Sequence, residues 1–484
     1  MAKLDSDFRK TLDTAFTQAV AHLENLDQTS VAATAGLDTL RARINRTLAR
    51  AGIPPDQVIQ ELNADVAGGL LGSAGGRFFG WVIGGALPAA VGADWLTSVW
   101  QQNSALYACS PAAAVVEETV GVWLKEILGL PEQASFALVT GCQMAHVTCL
   151  AAARHALLQN RGWDVESQGM FGAPPIRILS STECHGSFER AVRLLGFGQS
   201  QVKLLPVDDQ GRLIPEALAA ELETDPTAPT LVLLQAGDIN IGAYDSFETL
   251  IPIAKQHGAW VHVDGAFGLW AGASPRFRHL VEGIAAADSW ATDGHKWLNV
   301  PFDSGFAFVA DPEAHRASLS IRAAYLTHAA DARDQVDWNP EWSRRARGFP
   351  AYAALRQLGR DGVAELIERC CRHAHSLTTR IGALPGAEVL WEPTINQGLV
   401  RFLAQESGAT DHRASFSGGL PPAEAAHDRR TDEVIAAILK TGEAFFGGTT
   451  WRGKRAMRVS VTNWRTTDAE VDRVVQAVAS VLGD

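Results

Sequence analysis

The sequence is poor in cysteine, methionine and tyrosine. Its 484 residues include only six cysteines, four methionines and four tyrosines. The cysteines show neither the spacing of metal ligands nor the density of a secreted disulfide scaffold; they are Cys109, Cys142, Cys149, Cys184, Cys370 and Cys371. This usage excludes a small disulfide-stabilised domain. It predicts a protein of the reducing cytoplasm without a metal site.

The chain also lacks any block rich in lysine and arginine. It carries 54 acidic and 42 basic residues, a formal net charge of -12. A general nucleic-acid binder needs clustered cations that neutralise phosphates. That class is therefore excluded, and the expected partners are small molecules or a second copy of the chain.

No long apolar run is free of charged or helix-breaking residues. The first ten residues, MAKLDSDFRK, contain no apolar core of a secretory signal, so none is expected. The most apolar early segment, residues 78–96, holds four glycines, a proline and Asp94. A membrane span is therefore disfavoured, and we interpret this segment as the wall of a pocket.

What is present is the pattern of a large α/β enzyme. Hydrophobic residues make up 46% of the chain and charged residues 20%, as in ordinary globular proteins. Between residues 135 and 310, short continuous apolar runs alternate with helical stretches, which predicts a mainly parallel sheet covered on both faces. We predict three parts: residues 1–105, a helical segment and pocket wall that forms a dimer; residues 106–365, the large α/β domain; and residues 366–484, a small C-terminal α+β domain.

Residues 5–26 predict a helix with one apolar face. Its apolar residues recur at spacings of three and four; they are Phe8, Leu12, Phe16, Val20 and Leu23. Such a face needs a partner, and a second subunit is the expected one.

Several polar residues directly follow predicted strands, where open α/β sheets bind their ligands. Lys296 stands in ATDGHKWLNV between two apolar runs. A lysine forced out of water there loses its charge easily and becomes a nucleophile, although an exposed loop lysine is the ordinary alternative. Asp264 ends the apolar strand of AWVHVDG. It is either a desolvated carboxylate with a cationic partner or a helix cap.

Two further groups complete a set. His185 follows a strand and opens an amphipathic helix, where a capping role is the ordinary alternative. Gly141, Cys142 and Gln143 separate a strand from a long helix whose first N–H groups can receive a phosphate. Together these groups fit pyridoxal 5'-phosphate (PLP), which needs a lysine, a carboxylate at its pyridine nitrogen, a flat group over its ring and an anion cradle.

From residue 70 onward the chain resembles the PLP-dependent group II decarboxylases, which include aromatic amino acid and glutamate decarboxylases. The most specific segments are HVDGAFG and DGHKWLNVPFDSG, and ECHGSFERAVRLLG, NQGLVRF and RGKRAMRVSVTN are also similar. The resemblance implies the PLP-dependent transferase fold of type I, which is like that of aspartate aminotransferase. This fold has a mainly parallel central sheet and a smaller C-terminal α+β domain.

The resemblance also implies roles for individual residues. Lys296 would be the Schiff-base lysine, Asp264 would pair with the pyridine nitrogen, and His185 and Ala266 would cover the two faces of the ring. The phosphate contacts would come from Gly141, Cys142, Gln143, Asp293 and His295. Phe79 and Trp81 would line the substrate pocket, often from the neighbouring subunit, so a homodimer with shared active sites is implied.

The chain departs from the family in two places. Family decarboxylases carry a loop tyrosine that donates a proton to the substrate Cα, but residues 327–347 contain no tyrosine. Trp338 and Trp342 stand in this loop instead, and neither is a useful acid. The cradle sequence TGCQMAH replaces serine-rich residues, and Asp293 replaces an asparagine. A carboxylate beside a phosphate is unfavourable unless it is protonated or turned away.

The predicted function is PLP-dependent decarboxylation of an L-amino acid. Phe79, Trp81 and Trp338 favour an aromatic side chain through stacking, whereas Arg322 or Arg347 could receive an acidic substrate. The missing loop tyrosine leaves an aldehyde synthase, an aldolase-like lyase or an aminotransferase as the alternative. A binding protein without turnover is disfavoured because the lysine, the aspartate and the histidine are all retained.

Overall fold

The computed structural model describes residues 7–321, 332–405 and 422–483. Fourteen α-helices lie in these ranges: α1 (Phe8–Asn25), α2 (Leu37–Ile44), α3 (Pro55–Val66), α4 (Pro88–Trp100), α5 (Pro111–Leu128), α6 (Cys142–Gln159), α7 (Val165–Gln168), α8 (Gly186–Leu194), α9 (Pro215–Glu223), α10 (Phe247–Gln256), α11 (Pro312–Leu319), α12 (Gly348–Gly382), α13 (Pro422–Thr441) and α14 (Asp468–Gly483).

The large sheet has seven strands: β1 (Ser135–Val139), β2 (Arg177–Ser181), β3 (Val202–Leu205), β4 (Thr230–Gln235), β5 (Trp260–Asp264), β6 (Ser289–Asp293) and β7 (Gly305–Val309). Their order is β1-β7-β6-β5-β4-β2-β3. The pairs from β3 to β6 are parallel, and β7 runs antiparallel to both of its neighbours. The predicted mainly parallel sheet of a type I PLP-dependent fold is therefore confirmed.

Burial explains why these strands read as continuous apolar runs. Every residue of β1, β4, β5, β6 and β7 is buried, because helices cover both faces of the sheet. The chain crosses between strands through helices, as parallel pairing requires. The carboxyl ends of β1, β2, β4, β5 and β6 consequently meet at one edge of the sheet.

The small sheet is antiparallel throughout. It contains β8 (Ala387–Trp391), β9 (Gln397–Phe402), β10 (Gly447–Trp451) and β11 (Lys454–Ser460), in the order β10-β11-β9-β8. The long helix α12 leads to it from the large sheet and is kinked at Gly359, whose φ is 61°. The predicted limit between residues 365 and 366 falls inside this helix, and the limit between residues 105 and 106 falls between α4 and α5. The three-part division stays a prediction.

The segment 78–96 approaches the predicted site through its backbone. Gly84 N–H donates to the carbonyl oxygen of His295 at 3.2 Å. A Cβ atom on Gly84 would lie 1.9 Å from the carbonyl oxygen of Lys296, so only glycine permits this approach. Helix α4 begins at Pro88 in the same segment. In the described ranges, no helix combines the length and the apolar character that crossing a membrane requires.

Helix α1 confirms the helical prediction for the N-terminal segment, and its apolar face is largely uncovered. No residue of α1 is buried, and Phe8 and Phe16 are 77% and 57% exposed. The ring centroid of Phe16 lies 6.3 Å from that of Trp95 in α4. Helix α4 itself exposes Leu96, Val99 and Trp100.

Candidate active site

A cavity of about 360 Å³ lies at the edge where the parallel strands end. All nine residues predicted to contact PLP line it: Gly141, Cys142, Gln143, His185, Asp264, Ala266, Asp293, His295 and Lys296. They come from the ends of four strands, β1, β2, β5 and β6, so the topology brings together what the sequence separates by more than 150 residues. A larger cleft of about 560 Å³ between α5 and α12 contains none of them.

The ammonium of Lys296 is paired with Asp293. Its Nζ lies 3.0 Å from Oδ2 of Asp293. Burial by itself favours the neutral amine, but the carboxylates of Asp293 and Asp264 outweigh it and raise the pKa of Lys296. The expectation that Lys296 loses its charge easily is therefore wrong for the chain without its cofactor, because a partner carboxylate lies three residues earlier on the same turn.

The carboxylate of Asp293 also closes the start of helix α6. Its Oδ1 accepts the N–H of Cys142 at 2.6 Å, and Nε2 of His295 lies 3.5 Å from the same oxygen. The first N–H groups of a helix lack partners inside the helix and attract anions. Asp293 is thus balanced by Lys296 and by an N–H of the helix terminus, so its carboxylate points into the predicted cradle and is not turned away from it.

The side chain of Gln143 offers a donor to an anion. Its Nε2 is buried and has no hydrogen-bond partner among the residues that the structure describes, although buried polar groups normally find one. A Cβ on Gly141 would lie 3.0 Å from Cε1 of His295, so glycine keeps this end of the cavity open. A phosphate group fits here beside the Gln143 amide donor, and it would share the Cys142 N–H of the helix terminus with Asp293.

Asp264 is held as a carboxylate at the other end of the cavity. Burial opposes its charge, but His146, His185 and Lys296 keep the pKa of Asp264 below its ordinary value. Its Oδ1 accepts the N–H of Ala266 at 3.1 Å. An anionic group of this kind fits the protonated pyridine nitrogen of PLP. Asp264 does not cap a helix; it belongs to a tight turn after β5.

His185 has two functions in the fold. It is the N-cap of α8, where its Nδ1 accepts the N–H of Ser187 at 3.2 Å. Its ring nevertheless lines the cavity. The capping interpretation is therefore confirmed, and the cap orients the ring; a contact of this ring with the cofactor stays a prediction.

The sequence analysis did not identify three buried residues that lie behind Asp264. Nε2 of His146 lies 3.4 Å from Oδ2 of Asp264, and its Nδ1 lies 2.9 Å from Nε2 of His262. Nδ1 of His262 lies 2.9 Å from Oγ of Ser289. The two histidines stand in the segments TGCQMAH and HVDG, but nothing in these segments indicates that α6 and β5 pack face to face.

The Cys142 thiol joins this cluster. Burial raises its pKa well above the usual value, so the thiol stays protonated. Donor atoms of Cys142, His146 and Asp264 lie within 4.8 Å of one another, but a transition metal would need the thiolate of Cys142 rather than its thiol.

The predicted substrate contacts are not brought to the cavity within one chain. Phe79 is completely buried, and its ring centroid lies 5.2 Å from that of Phe446, so its placement does not support a substrate contact. Trp81 is 50% exposed and packs on Phe445 at 5.2 Å. A contact from Trp81 to substrate in a second subunit stays a prediction.

The loop candidates also lie elsewhere. Trp338 packs on His315, with ring centroids 5.3 Å apart, and Trp342 packs beside Ala105 and Leu106. Arg347 forms an ion pair with Asp303, whose Oδ1 lies 2.6 Å from Nε of Arg347. Arg322 and residues 327–331 lie outside the described residues. Trp338 and Arg347 therefore have structural partners within the chain, and their contacts to substrate stay predictions.

Arg458 on β11 is a residue that the motif reading missed. It is 7% exposed, and its Nε has no hydrogen-bond partner in the described parts of the chain. Burial lowers the pKa of its guanidinium to about 10, which still leaves it charged at neutral pH. Its charge in turn disfavours protonation of His185. Among the described residues, the charge of Asp238 acts on Arg458, but no ion pair at contact distance is formed. A buried cation of this kind marks a place for an anionic group.

This fold, with a lysine, a buried carboxylate and an anion cradle in one cavity, defines a PLP-dependent enzyme of the type I fold. A family model described as the pyridoxal-dependent decarboxylase conserved domain matches residues 38–405. The chain belongs to this family, and it is a PLP-dependent carboxy-lyase.

Known relatives agree with this assignment. An aromatic-L-amino-acid decarboxylase of Bacillus atrophaeus is 24% identical over 469 residues, which cover 96% of this chain and 92% of that protein. Tryptophan decarboxylase 1 of Oryza sativa subsp. japonica is 28% identical over 433 residues, covering 84% and 80%. The crystal structure of Oryza sativa TDC with PLP and tryptamine superposes with a TM-score of 0.89 at 23% identity, covering 100% and 99%.

The names of other relatives vary in substrate and in product. They include acidic amino acid decarboxylase, L-2,4-diaminobutyrate decarboxylase and phenylacetaldehyde synthase. Membership of the family thus leaves both the substrate and the fate of the reaction open.

Proposed function

We propose that this protein decarboxylates an L-amino acid with an aromatic side chain to the amine, with PLP bound covalently to Lys296. The observation that carries the proposal is that one cavity holds the Lys296 amine, the Asp264 carboxylate and Nε2 of Gln143, which has no hydrogen-bond partner in the described part of the chain. PLP supplies an electron sink that weakens the bond from Cα to the carboxylate.

The residues of the cavity divide this work. Asp264 keeps a negative charge against the pyridine nitrogen, and His185 and Ala266 cover the ring. Gly141, Cys142, Gln143 and His295 bind the phosphate, while Asp293 orders Lys296 and the helix terminus at 3.0 Å and 2.6 Å. Each role follows from the charge and position of the group, and each is open to substitution.

The substrate class rests on apolar lining and on one cation. Val82, Ile239 and Phe267 line the cavity, and an apolar wall favours an aromatic side chain through burial. Arg458 is a candidate contact for the substrate carboxylate, since a guanidinium pairs well with that group. Acidic substrates would need a second free cation, and Arg347 is already paired.

We infer that the protein acts as a homodimer with shared active sites. The support is the uncovered apolar surface of α1 and α4, which includes Phe8, Phe16 and Val99 at 77%, 57% and 61% exposure. An apolar surface of this kind on a single chain favours burial against a partner. Trp81, half exposed, is the candidate contact to the neighbouring cavity.

An aldehyde synthase is the second candidate function. Residues 327–347 contain no tyrosine to protonate Cα, and a relative 26% identical over 321 residues carries the name phenylacetaldehyde synthase. In that case oxygen and water would be consumed, and aldehyde, ammonia, carbon dioxide and hydrogen peroxide would be released.

The test is a product assay on the purified protein loaded with PLP. A panel of aromatic, acidic and diamino acids is supplied, and carbon dioxide, amine, aldehyde, ammonia and oxygen uptake are measured. Amine and carbon dioxide in equal amounts from an aromatic substrate support the main proposal. Aldehyde with ammonia supports the second candidate, and turnover of acidic substrates alone overturns the assigned substrate class.

A further inference from the structure

We propose that His146 is a positioning residue that acts on the cofactor's pyridine nitrogen through Asp264, and that His262 and Ser289 fix its orientation. This inference rests on the proposed role of Asp264. It adds a hydrogen-bond chain that runs from the interior of the sheet to the carboxylate.

The chain is continuous and entirely buried. His146, His262 and Ser289 are each 0% exposed. Indole Nε1 of Trp260 donates to Oγ of Ser289 at 3.0 Å, and Oγ lies 2.9 Å from Nδ1 of His262. The next links are 2.9 Å from His262 to His146 and 3.4 Å from His146 to Asp264.

The ring protons can be assigned from the two ends of the chain. At the carboxylate end, Nε2 of His146 must carry a proton, because a lone pair facing Asp264 would be repelled. If His146 is neutral, its Nδ1 is then an acceptor, so His262 donates from its own Nε2. Burial lowers the pKa of His262 to about 3, so His262 is neutral and its Nδ1 accepts the Ser289 hydroxyl proton.

With this assignment every link has one donor and one acceptor. All the N–H and O–H groups point toward Asp264, and no buried charge other than the carboxylate is required. Cys142 is the remaining polar neighbour of His146, with Sγ 3.5 Å from Nε2, and the edge of the Phe188 ring packs at 6.3 Å between centroids. The orientation of His146 is therefore set by His262 rather than by solvent.

The consequence concerns the state of Asp264 when PLP is bound. A neutral donor at Oδ2 stabilises the carboxylate without competing for its charge, so the carboxylate stays available to the pyridinium. If His146 is removed, the carboxylate loses a donor inside an apolar interior, and its preference for a protonated ring nitrogen weakens.

The experiment compares two cofactors on the apoprotein: PLP, and the carbocyclic analogue in which C–H replaces the ring nitrogen. Dissociation constants are measured by absorbance titration for wild type, His146→Leu and His146→Gln. Glutamine keeps a donor near the position of Nε2, and leucine does not. We expect His146→Leu to weaken PLP by about 10- to 100-fold, the equivalent of one hydrogen bond to a charged group. The analogue should bind to His146→Leu and to wild type with equal affinity. The His146→Gln variant should recover most of the PLP affinity.

Equal losses for PLP and the analogue in His146→Leu would mean a merely structural role and would overturn the proposal, as would unchanged PLP affinity. If His146→Leu does not fold, nitrogen-15 NMR of the wild-type apoprotein replaces it: both rings should be neutral with the proton on Nε2, and any other protonation pattern contradicts the chain. Failure of the proposed role of Asp264 is a separate result, because wild type itself would then bind PLP no more tightly than the analogue, and failure of the proposed reaction is detected by the product assay.

Discussion

The most informative perturbation of the cavity is Gln143→Leu, because the structure predicts opposite effects on stability and on cofactor binding. Nε2 of Gln143 is buried without a partner among the described residues. A buried amide donor without a partner costs about 1–3 kcal/mol. Leucine has a similar size and no polar atom, so the apoprotein should not lose stability.

The expected increase in the melting temperature of Gln143→Leu can be worked out from the chain length. For 484 residues, an unfolding entropy of about 2.1 cal/mol/K per residue amounts to about 1 kcal/mol/K. Removing the unpaired donor should therefore raise the melting temperature of the apoprotein by about 1–3 °C. Differential scanning calorimetry of the apoprotein measures this change.

The effect on PLP has the opposite sign. A hydrogen bond to a charged group contributes about 1.5–3 kcal/mol, so the loss of the Gln143 donor should weaken PLP by about 10- to 100-fold. Pyridoxal, which lacks the phosphate, should bind wild type and Gln143→Leu alike. Parallel titrations of PLP and pyridoxal give the ratio of affinities that isolates the phosphate.

Gln335→Leu is the matched control. Nε2 of Gln335 is also buried without a partner in the described ranges, but Gln335 lies outside the cavity. Its substitution should leave the ratio of PLP to pyridoxal affinity unchanged. If Gln143→Leu also leaves that ratio unchanged, the anion cradle does not include Gln143 and the reasoning is refuted.

Three further predictions test the site and its support. Lys296→Ala should abolish turnover and borohydride-stable labelling with PLP, while circular dichroism stays that of wild type; labelling in that variant would remove Lys296 from the mechanism. Gly84→Ala should cost about 1–3 kcal/mol or more and weaken PLP, because its Cβ would lie 1.9 Å from the Lys296 carbonyl oxygen; Gly92→Ala, with open space around its Cβ, is the control and should be tolerated. His315, whose pKa burial lowers to about 3, should make the fold acid-sensitive. As pH falls below about 6.5, His315 binds a proton in the unfolded chain but not in the folded chain. The free energy of unfolding therefore drops by up to about 1.4 kcal/mol per pH unit. Urea unfolding between pH 7 and 5 should show a shallower dependence in His315→Gln, and an unchanged slope would count against a neutral buried ring.

Local sequence was sufficient for the elements that carry the site. Continuous apolar runs predicted the buried strands because both faces of the sheet are covered, and α1 followed from a three-to-four spacing. The polar residues after those strands, Lys296, Asp264 and Gln143, were found because the carboxyl ends of parallel strands share one edge.

Only the tertiary structure decided which groups touch. The pairing of Lys296 with Asp293 reverses the pKa shift expected from burial alone, since that shift depends on a distance of 3.0 Å. Phe79 and Trp338 lie in packed aromatic contacts away from the cavity, and aromatic composition cannot distinguish a core residue from a ligand contact. The chain from Ser289 through His262 and His146 to Asp264 joins β6, β5 and α6. The sequence alone determined the chemical groups and the order along the chain of the strands that bear them. The protonation states and the partners of these groups depend on contacts between distant segments, and those contacts form only when the sheet and its helices pack.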